Sequence, residues 1–96
     1  MQVYAVIPLK PDSAPLSAAI SAHIPAETDR YKLQADRGWL IAFEGTTVEL
    51  SNKLEITGQP KGQSSPVGSA LVIPVTGYFG RGNTDMWEWL KARLEK

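Results

Sequence analysis

The sequence predicts a single α+β domain, and three observations carry that prediction. Four short segments are apolar with a two-residue alternation, three others repeat apolar residues at helical spacing, and glycine or proline punctuates most of the junctions. At 96 residues, 43% hydrophobic and 21% charged, the chain can bury one modest core and has no room for a second.

The first strand spans residues 2–9, QVYAVIPL. Val3, Ala5 and Ile7 alternate with Tyr4 and Val6, so both faces are apolar and the strand belongs inside a sheet. Pro8 marks its end, because proline has no N–H for the ladder. Residues 12–24, DSAPLSAAISAHI, form a helix capped by Asp12 or Ser13, with Pro15 in the first turn. Leu16, Ile20 and Ile24 line one face, and Pro25 stops it. Residues 30–34 and 39–43 are two strands joined through ADRG, where Asp36 and Arg37 make a solvated tip and Gly38 supplies the positive φ of a tight turn. Tyr31 and Leu33 alternate with polar neighbours, which predicts a half-exposed strand. Trp39, Ile41 and Phe43 share one face with Leu40 and Ala42 on the other, as in an inner strand.

In TTVELSNKLEITG, Thr46 and Glu49 have capping-box spacing, Leu50 and Leu54 share a face, and Gly58 is placed as the C-terminal stop. A loop rich in glycine, proline and serine follows over 59–68. Residues 69–76 form the last strand, and Pro74 within it assigns that strand to an edge. Asn83 or Thr84 then caps a final helix running through Glu95. Asp85 lies in its first turn and Lys91, Arg93 and Lys96 in its last, each complementing the helix dipole. Met86, Trp89, Leu90 and Leu94 form its apolar face, with Trp87 at the margin.

The order is therefore β-α-β-β-α-β-α. The first six elements are the split β-α-β units of a ferredoxin-like two-layer sandwich, and the last is an additional C-terminal helix. That fold orders its antiparallel sheet 4-1-3-2 with both helices on one face. The strands apolar on both faces, the first and third, fall in the centre, and the polar or proline-bearing ones fall at the edges. The other face is bare unless the last helix covers it, on its own chain or on a neighbour, through Met86, Trp87, Trp89 and Leu90. Exposed apolar sheet faces mark interfaces, so a homodimer is expected.

Two runs carry a family likeness. GWLIAFEGTTVELSNKL sets a tryptophan-bearing strand before a capped helix, and ALVIPVTGYFGRGNTDMWEWLKARL sets an apolar strand, a glycine turn and a helix with a Trp-x-Trp-Leu centre. Together they resemble small bacterial proteins related to the CRISPR-adaptation nuclease fold, many without an assigned activity. The resemblance implies a dimeric ferredoxin-like domain. The nuclease group of that family carries an aspartate at the end of the first strand, which binds a divalent metal between subunits. Here Pro8, Leu9 and Lys10 follow the strand, and the nearest acid, Asp12, reads as a helix cap. No metal site and no nuclease activity are carried over.

Other chemistries fare no better. Ten basic residues balance ten acidic ones, which disfavours unassisted binding to a nucleic-acid backbone. The absence of cysteine excludes disulfides, thiolate metal sites and a cysteine nucleophile. The start, MQVYAVIPLK, has neither the basic region of a signal peptide nor the length of a membrane span, and a cytoplasmic protein is expected. Gly77, Gly80 and Gly82 reverse the dinucleotide spacing, with no G-K-[ST] beside them. They read as a turn that releases the last helix. A contact for an anion or nucleic acid could draw on Lys10, Arg81, Asn83 and Thr84, with Lys61 in a further loop, but nothing fixes the basic residues together and Asp85 opposes an anion. His23 has no paired nucleophile, and Glu44, Glu49 and Glu55 read as solvated, capping and helix-face residues. An aromatic stacking platform of Tyr4, Tyr31, Trp39 and Phe43 lacks the flanking basic and glycine residues that RNA-binding sheets use.

The expectation is a non-enzymatic, homodimeric interaction protein with no catalytic residue, metal or cofactor, acting through its dimer surface or a protein partner and not at a membrane. A nucleic-acid-associated relative of the nuclease fold is the second reading.

Overall fold

The computed structural model describes residues 1–34, 37–77, 80–81 and 84–94. Four strands, β1 (Gln2–Pro8), β2 (Arg30–Lys32), β3 (Trp39–Phe43) and β4 (Ala70–Pro74), form one antiparallel sheet ordered β2-β3-β1-β4. Three helices, α1 (Ala14–His23), α2 (Thr47–Lys53) and α3 (Thr84–Leu94), complete the domain. The doubly apolar strands β1 and β3 are central and the other two are edges, as their alternation predicts.

Each central strand divides its side chains between two cores. Tyr4, Val6, Trp39 and Ile41 face α1 and α2, where they pack with Leu16, Ile20, Ile24, Leu50 and Leu54. Val3 and Leu40 face the opposite way and pack against Leu90 of α3. Tyr4 is almost completely buried on the first side, and its hydroxyl donates to the Gly45 carbonyl. Gly38 has φ +144°, and a Cβ there would lie 2.5 Å from the Val6 carbonyl oxygen. The chain enters β3 so close to β1 that only glycine fits.

Local chemistry explains most of the boundaries. Asp12, rather than Ser13, supplies the side-chain acceptor at the start of α1: its Oδ1 takes the Ala14 N–H at 3.1 Å. The α2 capping box is complete, with Glu49 N–H donating to Thr46 Oγ1 and Thr46 N–H to Glu49 Oε1. The end of α2 departs from expectation. The helix stops at Lys53, not at Gly58, and the left-handed residue that closes it is Glu55, with φ 66°. Glu55 N–H reaches the Asn52 carbonyl and Ile56 N–H the Ser51 carbonyl, both at 3.0 Å, which is the Schellman pairing. Glu55 is thus beyond the helix and not on its face. A short 3-10 turn, Glu27–Asp29, precedes β2, which ends at Lys32. Asp36, Gly82, Asn83, Glu95 and Lys96, to which turn, capping and dipole roles were assigned, lie outside the described residues.

α3 covers the second sheet face of its own chain. Met86, Trp87, Trp89 and Leu94 flank the buried Leu90 over Val3, Ala5, Tyr31, Leu33 and Leu40. Polar contacts hold the helix near its C-terminal end. Trp89 Nε1 donates to the Thr28 carbonyl at 3.1 Å, Arg93 donates to the same carbonyl, and the Arg93 guanidinium lies 4.6 Å from the centre of the Trp89 ring. Asp29 is 3.8 Å from Arg93.

Candidate interaction surface

The cover supplied by α3 stops short of β4. Leu71 and Ile73 point to the α3 side of the sheet yet remain 48% and 43% exposed, while Ala70 and Val72 point to the α1–α2 side and join that core. The exposure follows from the path of α3, whose contacts fall on β1, β2 and β3 and, beyond β4, on Val75.

The main chain of β4 is equally lopsided. Leu9 N–H donates to the Ser69 carbonyl and Val75 N–H to the Val3 carbonyl, each at 2.9 Å, within a register that pairs Ile7 with Leu71 and Ala5 with Ile73. The odd-numbered residues of β4 therefore turn their N–H and C=O groups to β1. Ala70, Val72 and Pro74 turn theirs outward. Pro74 sits where its missing N–H faces away from β1, so the ladder loses nothing. Among the described residues no strand pairs with β4 on that side. Nor does charge protect it: from Gly62 to Gly80 the sequence has no acidic or basic residue. Natural edge strands are usually blunted by lysine or another inward charge; within β4 itself the blunting residue is Pro74.

Beside this edge, α2 and β4 enclose a groove of about 450 Å³. Val48, Ile56, Ala70, Leu71 and Val72 supply most of its wall, with Thr47, Ser51 and Thr57 at the rim. Val48 is 67% exposed, the most open aliphatic side chain on α2.

The residues expected to contact an anion or nucleic acid are not brought together. Lys10 lies along the backbone of Gly68, its Cδ 3.2 Å from where a Cβ on that glycine would sit. It borders a separate depression lined by Thr57, Ser64, Ser65 and Ser69. Arg81 and Thr84 are exposed and line no part of that depression, and Asn83 lies outside the described residues. The residues expected to pack on a sheet face or a partner, Met86, Trp87, Trp89 and Leu90, are occupied on their own chain. The aromatic platform does not exist: Tyr4, Trp39 and Phe43 lie under α1 and α2, and Tyr31 lies on the opposite face against Trp89. His23 Nε2 stands 3.6 Å from Glu55 Oε2 at the surface, a pair that spans two elements and that spacing along the chain does not reveal.

Among the described residues no His, Asp and Glu side chains are grouped as metal ligands, and no helix is long and apolar enough to cross a membrane. Comparison with protein-family models, curated proteins and solved structures finds no match to this chain.

Proposed function

We propose that this chain is a non-enzymatic interaction domain of the ferredoxin-like type that acts as a homodimer. The architectural part of the reading is supported by the sheet order, which taken from the β4 edge runs 4-1-3-2, and by the shared face of α1 and α2. A kinship with the CRISPR-adaptation nuclease fold is carried at the level of architecture only. The acid nearest the end of β1, Asp12, lies just before the N-cap Ser13 and accepts the Ala14 N–H at the start of α1, and Lys10 stands between it and the strand.

The single observation that carries the dimer is the unprotected edge of β4. It joins unpaired main-chain groups, two half-exposed aliphatic side chains and an adjoining apolar groove, in a stretch from Gly62 to Gly80 that carries no charged residue. Size-exclusion chromatography with light scattering, run from low to high micromolar protein, tests it. The expected mass rises toward twice the 10.5 kDa of the single chain. A mass that stays at one chain throughout that range overturns the homodimer.

A further inference from the structure

Resting on the homodimer reading, we infer that two copies join edge to edge through β4, antiparallel about a two-fold axis at Leu71, in a register selected by Pro74. Only Ala70, Val72 and Pro74 offer outward main-chain groups, so these residues must face one another across the junction. A two-fold pairing in which Ala70 and Val72 both face a residue of the second copy's β4 has two settings. Centring the axis on Val72 sets Ala70 opposite Pro74 of the second copy. The pyrrolidine ring then occupies the place of the N–H hydrogen and collides with the Ala70 carbonyl. Centring it on Leu71 sets Ala70 opposite Val72. Ala70 N–H then reaches the Val72 carbonyl and Val72 N–H the Ala70 carbonyl, and the two-fold repeats both bonds. Both outward donors are satisfied, and Pro74 falls where the ladder ends, opposite Gly68.

The side chains agree with this setting on both faces. On the α3 side, Leu71 meets Leu71 of the second copy at the axis, and each Ile73 lies diagonal to it, so the half-exposed residues form one cluster. On the α2 side, Val72 of the second copy comes beside Ala70, at the mouth of the groove that Val48 and Ile56 line. No residue of the chain between Gly62 and Gly80 is charged; the cation at the end of this edge is Lys10, whose side chain lies along Gly68.

The chain has no cysteine, so single cysteines report the register directly. In the proposed setting the two Leu71 residues form a non-hydrogen-bonded pair with Cα atoms about 4.5 Å apart, within disulfide range. The two Ile73 residues are offset by four positions, about 13 Å, and are out of range. The Leu71→Cys protein is expected to form a disulfide dimer under mild oxidation faster than Ile73→Cys by roughly an order of magnitude. A mixture of Ser69→Cys and Ile73→Cys chains, whose cysteines face each other, is expected to give the heterodimer. Light scattering on the wild-type chain separates the two levels of the reading. A wild-type dimer in which neither pair crosslinks, or in which Leu71→Cys and Ile73→Cys crosslink equally, overturns the β4 register and leaves the homodimer standing. A wild-type monomer overturns both.

Discussion

Glu55 shows how much one residue's backbone can decide. It is the one described non-glycine residue with positive φ, and it closes α2 in a position that favours glycine. A left-handed L-residue costs about 1 kcal/mol or more. What Glu55 gains from its side chain is a single contact with His23, with both side chains substantially exposed, and surface pairs of that kind contribute little. The carbonyl of Glu55 does more, accepting from Gln59 Nε2 at 2.8 Å and from Ser65 Oγ at 2.6 Å, and those bonds survive any substitution of the side chain. Glu55→Gly is therefore expected to raise stability by roughly 0.5–1 kcal/mol in urea denaturation, after the entropy that glycine adds to the unfolded chain is deducted. A loss of stability of that size would show that the Glu55 side chain matters more than its backbone strain. The position was not legible in the sequence, because Gly58, three residues on, offers the more ordinary stop. Gly58 does take a positive φ, but in the loop after the helix.

At the scale of elements, the α1–α2 core was readable because its signals are local: Leu16, Ile20 and Ile24 repeat at helical spacing, and Tyr4, Val6, Trp39 and Ile41 alternate along β1 and β3. The apolar face of α3 was readable in the same way. Its docking partners were not, since Thr28 and Asp29 sit in a 3-10 turn that has no periodic signature, more than sixty positions from Trp89 and Arg93. The outcome is a helix clamped at the β2 side of the sheet and absent from the β4 side. Leu90, 4% exposed, is the buried centre of that docking. Leu90→Ala is expected to cost about 2–5 kcal/mol by opening a cavity between α3 and the sheet, and to weaken the near-ultraviolet circular dichroism of Trp87 and Trp89. A change below 1 kcal/mol would mean that α3 contributes little to the fold of its own chain.

For the molecule as a whole, the consequence of this asymmetry is that α3 is anchored beside the β2 edge of the sheet and leaves the side chains of the β4 edge bare. Pro74 identified β4 as an edge from sequence, and the uncharged run around it was visible there too. The direction in which the proline nitrogen faces was not, because it depends on the register with β1, which is set by residues some seventy positions away. Nor could the sequence divide the sheet face between α3 and open solvent, so it assigned Met86, Trp87, Trp89 and Leu90 to packing either on their own sheet or on a second copy, and singled out neither Leu71 nor Ile73. The surface expected to pair copies is now the strand that α3 leaves uncovered. Amide hydrogen exchange, followed residue by residue across a range of protein concentrations, tests this most directly. Leu71 and Ile73, whose N–H groups face β1, should be protected at every concentration. Ala70 and Val72 should exchange freely in dilute protein and become protected as the concentration rises, because their N–H groups gain partners only from a second β4. Fast exchange of Ala70 and Val72 at every concentration would contradict the account.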